Sequence, residues 1–172
     1  MPQVPGEISI LRAASEHLAV ILQLLSTQLR EHHIEISDTR LESAVRGVIE
    51  NPGRGLILVA FLDGRCAGVA YASFVWTLEH GGCSAWLEEL YVAPGLRNAG
   101  IGTTLLRAVM DECKSFGCAA LDVEIDADHE NVRTLYERHD FVALSRRRMV
   151  RLLKDEQPLD SGTSSLLAAD SR

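Results

Sequence analysis

Apolar and polar positions alternate from Glu7 to Leu11, the two-residue period of a half-buried strand. The period then lengthens. Leu18, Ile21, Leu22, Leu25 and Leu29 share one face at helical spacing, which predicts a helix that Ser15 caps and that runs to about Glu31. His32 to Ser37 reads as a loop. Asp38 is placed to cap a second helix carrying Leu41, Val45, Val48 and Ile49, and Asn51-Pro52-Gly53 ends it. Gly55 to Leu62 and Cys66 to Trp76 read as strands joined at Asp63-Gly64, a two-residue hairpin signal. A loop from Glu79 to Gly82 leads to a strand from Ala85 to Val92, which Pro94-Gly95 breaks. Ile101 to Phe116 is a long amphipathic helix, with Gly117 as its terminating glycine. Ala119 to Ile125 reads as a strand, Glu130 to His139 as a short helix, and Phe141–Leu144 and Met149–Leu153 as two final strands.

The order β-α-α-β-β-β-α-β-α-β-β predicts an α/β fold, a mixed sheet with helices on both faces. After Leu153 the composition shifts to Ser, Asp, Gly and Pro. Residues 1–153 therefore read as one domain and residues 154–172 as a tail. With 172 residues and 47% apolar positions the chain can bury a core. No apolar run reaches membrane-spanning length, and no signal-peptide pattern opens the chain, so a cytoplasmic protein is expected, with no membrane partner. Cys66, Cys83, Cys113 and Cys118 form no CxxC pair and lack zinc-finger spacing. They read as small buried thiols, with no metal site expected. The net charge of −7 argues against nucleic acid as a partner. It suits a cationic substrate through steering, but its first reading is the acidity common to soluble cytoplasmic proteins.

Chemistry enters at Arg97-Asn98-Ala99-Gly100-Ile101-Gly102-Thr103. Gly100 and Gly102 let the backbone approach a ligand closely, and the helix that follows presents unpaired N–H groups and a partial positive charge. With Arg97 alongside, the turn suits a pyrophosphate. It is neither a P-loop nor a dinucleotide fingerprint, since both Gly-Lys-Ser/Thr and GxGxxG are missing. On its glycines alone it reads as a tight turn.

Arg-x-x-Gly-x-Gly preceded by Leu87-Glu88-Glu89-Leu90-Tyr91-Val92-Ala93-Pro94, with Leu135-Tyr136 and Phe141 further on, resembles the core motif of the GNAT superfamily of N-acetyltransferases. Within it, Tyr71 to Trp76 followed by Leu87-Glu88-Glu89 is most similar to the diamine (spermidine/spermine-type) acetyltransferases. The resemblance implies acetyl-CoA as co-substrate. Leu90, Tyr91 and Val92 would lend backbone groups to the pantetheine arm, and residues Arg97, Asn98, Ala99, Gly100, Ile101, Gly102 and Thr103 would hold the pyrophosphate. Where many members carry a CoA-contacting asparagine this chain has His129, with Asn131 nearby. Asp140-Phe141 replaces the usual Gly-Phe, at a position where Asp can take a left-handed turn.

The resemblance also implies Glu88 as the base, acting directly or through a water, and Tyr136 as the acid. The Val92 N–H would stabilise the oxyanion. Strict strand alternation puts Trp86, Glu88 and Leu90 on one face and Leu87, Glu89 and Tyr91 on the other, so only one of the two carboxylates can enter a shared site. Glu89 then reads as a surface partner of Arg or Lys. The segment with His32, His33 and Glu35 reads first as an exposed polar loop; since the resemblance places it near the acceptor, His33 and Glu35 are candidate amine contacts, as are Trp76 and Glu79. Arg146-Arg147-Arg148 reads as a solvated strand end. The expected acceptor is a primary amine on a small molecule, such as a polyamine or diamine. An amino acid, an antibiotic amine or a protein N-terminus is the alternative, as is a non-catalytic acyl-CoA-binding module. The family resemblance adds the expectation of a homodimer.

Overall fold

The computed structural model describes residues 6–125, 130–146 and 148–151. They form β1 (Ile8–Arg12), α1 (Leu18–Glu31), α2 (Asp38–Ile49), β2 (Gly55–Leu62), β3 (Arg65–Thr77), β4 (Gly82–Val92), α3 (Ile101–Phe116), β5 (Leu121–Val123) and α4 (Glu130–Glu137). The chain divides into two compact units. The first contains residues 1–29 and 36–124, and the second residues 30–35 and 125–172.

The first unit is a five-stranded mixed sheet in the order β1-β2-β3-β4-β5, antiparallel except for the parallel β4–β5 pair. The hairpin signal holds: Asp63 and Gly64 both take positive φ, at 49° and 76°, between β2 and β3. The helical apolar faces cover the sheet. Leu18, Ile21 and Leu25 of α1 and Leu41 and Val45 of α2 form a core with Ile57, Val59, Val69 and Tyr91 on one face. On the other, Ile101, Leu105, Leu106, Val109 and Cys113 of α3 are buried, and Phe116 stacks on Phe74 of β3 at 4.1 Å. Each fully buried aliphatic side chain here contributes about 1.5–3 kcal/mol.

β3 sorts its residues between these faces. Val69 and Tyr71 lie on the α1/α2 side. Gly68 lies on the α3 side, where a Cβ would stand 2.7 Å from the Tyr91 carbonyl oxygen and 3.1 Å from Leu105 Cδ1. The bare glycine lets the first turns of α3 close onto the end of β4.

Several boundaries differ from the sequence expectations. Ser15 does not cap α1. It lies in a 3₁₀ turn, Ser15–His17, and His17 Nδ1 accepts the Ala14 N–H at 3.0 Å. Ser37 rather than Asp38 occupies the cap position of α2. β4 begins earlier, at Gly82, and β5 is only three residues long. Cys113 is buried, but Cys66, Cys83 and Cys118 are only partly so; all four are free thiols.

In the second unit, α4 is followed by a turn in which Asp140 takes φ 64°, the left-handed conformation foreseen for it. No strand forms at Phe141–Leu144 or at residues 149–151. Val142, Leu144, Met149 and Val150 are all exposed, so their apolar side chains gain no burial that would favour a ladder. Leu152, Leu153 and the tail from Lys154 lie outside the described residues. Among the described residues, no helix is long and apolar enough to cross a membrane.

Candidate active site

The β3–β4 ladder pairs Tyr71 with Glu89 and Ala72 with Leu87, so Glu88 is the extra residue of a β-bulge. The bulge overturns the strict alternation expected for this strand. Trp86 pairs with Ser73, and Glu89 with Tyr71, on the α1/α2 face; Leu87 pairs with Ala72 on the α3 face. The physical reason is packing. Leu87 is buried on one side and Tyr91 on the other, which a regular strand cannot achieve across four residues. The two carboxylates therefore do not face opposite ways. Glu88 is exposed at the bulge and accepts a hydrogen bond from Ser73 Oγ at 2.8 Å. Glu89 is partly buried and accepts one from Gln28 Nε2 of α1 rather than pairing with Arg or Lys.

Burial sets the electrostatics. It pushes the Glu89 carboxyl up to about 7, with neighbouring Glu88 adding to the rise and the Gln28 hydrogen bond opposing it. It also raises the Tyr71 phenol, and both carboxylates push the same way. Two acids and a phenol thus share one patch of the α1/α2 face.

Along its other edge β4 outruns its neighbour. The β5 ladder ends at Leu87–Val123, while β4 continues to Val92. The Ala93 N–H donates to the Ala67 carbonyl at 2.9 Å, toward β3. By alternation the backbone groups of Leu90 and Val92 point away from β3, along the stretch that β5 does not reach. Arg97 Nε donates to the Val92 carbonyl at 3.1 Å, and its guanidinium lies 5.4 Å from the centre of the Tyr91 ring. The Val92 N–H remains the group directed outward.

The strand end then passes through a 3₁₀ turn, Pro94–Leu96, into α3. Asn98 has φ 65° and Gly100 φ 83°, and Gly100 is the N-cap of α3. A side chain at Gly100 would add about 1–2 kcal/mol of left-handed strain. The first N–H groups of α3, at Ile101, Gly102 and Thr103, have no intrahelical acceptor. A strand edge, a loop with two left-handed residues and a helix start therefore follow one another, an arrangement with room for an extended arm ending in phosphates.

The family model described as "Acetyltransferase (GNAT) family" matches residues 18–141, well over half of the chain. The chain belongs to the GNAT acetyltransferase family. Solved structures agree on the fold. The aminoglycoside N-acetyltransferase AAC(6')-Iy in complex with CoA is 19% identical, covering 90% of this chain and 99% of that one, with a TM-score of 0.74. A predicted acetyltransferase from Clostridium acetobutylicum, solved with acetyl-CoA, is 16% identical over 88% and 100% of the two chains, at 0.72. A possible acetyltransferase from Clostridium difficile 630 is 16% identical over 86% and 99%, at 0.75. No curated protein matches the chain in sequence.

Tyr136, in the second unit, is buried, packs edge-on against Phe141 at 5.4 Å, and has its phenol pushed up to about 12 by burial. His33, at φ 56°, and Glu35 are exposed in that unit too. Trp76, 79% exposed, and Glu79 belong to the first unit, at the β3–β4 turn. His129 and the Asn131 side chain lie outside the description.

The sequence reading passed over Gln28, Gly68, Tyr71 and Ser73 as site-shaping residues. Gln28 did carry a signal, being a polar residue one turn from Leu25 on the buried face of α1. The others had none, because strand register alone brings them to β4.

Proposed function

We propose that the chain transfers the acetyl group of acetyl-CoA to a primary amine on a small cationic molecule, with a polyamine or diamine as the acceptor class. The observation that carries this reading is the bulge in β4, which sets an exposed carboxylate beside a strand edge that outruns its partner. In this reading Leu90 and Val92 bind the pantetheine arm through their backbone groups, and residues 98–103 with Arg97 hold the pyrophosphate. Acetyl-CoA supplies an activated thioester, so the chain's own task is to handle protons.

A lysine-like amine has a pKa near 10.4, so at pH 7 about one molecule in 2,500 is neutral, a deficit of roughly 4.6 kcal/mol. Glu88 takes a proton from the nitrogen, directly or through a water. The Val92 N–H meets the oxyanion. Tyr136 gives a proton to the departing thiolate; its raised phenol keeps that proton throughout the neutral range. Two acids on the acceptor side and a net charge of −7 favour a cationic acceptor over an anionic one. His33, Glu35, Trp76 and Glu79 are the proposed acceptor contacts.

An aminoglycoside amine is the second reading. It is supported by the fold shared with AAC(6')-Iy, which has also been solved with the bisubstrate analogue CoA-S-monomethyl-acetylneamine. Acetylation measured over a panel of diamines, polyamines, aminoglycosides, amino acids and peptide N-termini separates the two: preference for short diamines supports the first reading, and preference for aminoglycosides replaces it. The homodimer expected from the resemblance is checked by sedimentation equilibrium.

A further inference from the structure

Between an ammonium ion and an amide the nitrogen loses two protons, and Glu88 accounts for one. The bulge brings a second carboxylate, Glu89, to the same face. Gln28 Nε2 holds it from α1, and Tyr71 of β3 and Glu88 of β4 are the titratable groups beside it. Gln28 is only 8% exposed, yet its Oε1 has no hydrogen-bond partner among the described residues. A buried amide oxygen without a donor is destabilising. Leu25, one turn away, packs into the core at no such cost. The amide at this position is therefore left without a donor by the described residues.

We infer that Gln28 and Glu89 complete the acceptor side of the site: Gln28 Oε1 accepts an N–H from the incoming amine, and Glu89 takes the proton that the ammonium loses before attack. The inference rests on the amine-acetyltransferase reading. In the first step R–NH₃⁺ passes a proton to the Glu89 carboxylate, leaving R–NH₂ and a neutral carboxyl group. The nitrogen lone pair then forms the C–N bond at the thioester carbonyl. As the tetrahedral intermediate collapses, the C–S bond breaks, the sulfur leaves with the electron pair and takes a proton from Tyr136, and the nitrogen gives its second proton to Glu88. Tyr136 recovers a proton from water, and Glu88 and Glu89 each release one to water, so one net proton is produced per turnover. A carboxyl near 7 is a far better match to an amine than an ordinary one, because proton transfer to it is less uphill.

The test is the pH dependence of kcat/KM for the best amine, with the KM for acetyl-CoA measured alongside, in the wild type, Glu89→Gln, Gln28→Leu and Glu88→Gln. The wild type is expected to rise through an apparent pKa near 7. Glu89→Gln loses that limb and about a hundredfold in kcat/KM at pH 7, with the KM for acetyl-CoA unchanged. Gln28→Leu raises the KM for the amine and moves the limb to higher pH, since the hydrogen bond that lowers the Glu89 pKa is gone; it also carries the test if Glu89→Gln fails to fold. A wild-type profile in Glu89→Gln and Gln28→Leu, with activity lost in Glu88→Gln, overturns the inference and leaves the acetyltransferase reading standing. A wild type that binds acetyl-CoA and acetylates no amine sinks both.

Discussion

Replacing Gly68 by alanine tests whether the close approach of α3 to β4 shapes the donor site. The added Cβ would sit 2.7 Å from the Tyr91 carbonyl oxygen, about 0.7 Å inside the 3.4 Å at which ordinary contact begins, and 3.1 Å from Leu105 Cδ1. The oxygen belongs to a strand laddered to β3, so it cannot swing aside as a side-chain tip would. Overpacking of this kind costs about 1–3 kcal/mol. Alanine recovers about 0.4–1 kcal/mol by restricting the unfolded chain. The net loss is about 1–2 kcal/mol, which in a domain of this size lowers Tm by about 2–8 °C. The strain falls between Val92 and the start of α3, so acetyl-CoA binding should weaken as well, by about three- to tenfold for one displaced hydrogen bond. Circular dichroism melting and calorimetric titration with acetyl-CoA read the two effects. A wild-type Tm contradicts the packing argument. A lowered Tm with unchanged acetyl-CoA affinity contradicts the link between this contact and the donor site.

Three further outcomes are expected. Glu88→Gln should lower turnover by about a hundredfold while calorimetry finds acetyl-CoA affinity unchanged; wild-type turnover removes Glu88 as a base. Tyr136→Phe keeps the ring against Phe141 but removes the phenol proposed as the proton donor, so steady-state turnover should slow by a similar factor, and full activity reduces Tyr136 to a packing residue. Glu89 also links stability to pH. Its folded pKa, near 7, lies above the ordinary 4.5, so its contribution is complete below pH 4.5 and is lost as the pH rises to about 7, by up to about 3 kcal/mol. Urea unfolding should therefore show Glu89→Gln gaining on the wild type across that window, and a difference that does not change with pH refutes the assignment.

Much of the scaffold was legible because burial imposes a period. Leu18, Ile21 and Leu25 mark the inner face of α1, the apolar run from Gly55 marks β2, and Asp63-Gly64 marks the hairpin. The start of α3 was legible as well, since Gly100 stands just before its apolar face and takes the left-handed conformation at its N-cap. The arrangement of β4 on the α1/α2 face was not. Its key feature, the extra residue at Glu88, arises from the need to bury Leu87 and Tyr91 on opposite sides, and that depends on which strands flank β4. The same limit hid Glu89, whose partner lies 61 positions away on α1. At the end of the chain the error ran the other way. Val142, Leu144, Met149 and Val150 have strand-like composition, but composition alone does not form a ladder.

The most direct test of the account is a crystal structure with acetyl-CoA and an unreactive analogue of the acceptor amine. The account predicts pantetheine along Leu90–Val92, the pyrophosphate at residues 98–103, the thioester oxygen at the Val92 N–H, and the amine nitrogen on the α1/α2 face within hydrogen-bonding reach of Glu88. Acetyl-CoA seated away from the β4 edge, or an amine bound on the α3 face, would contradict it.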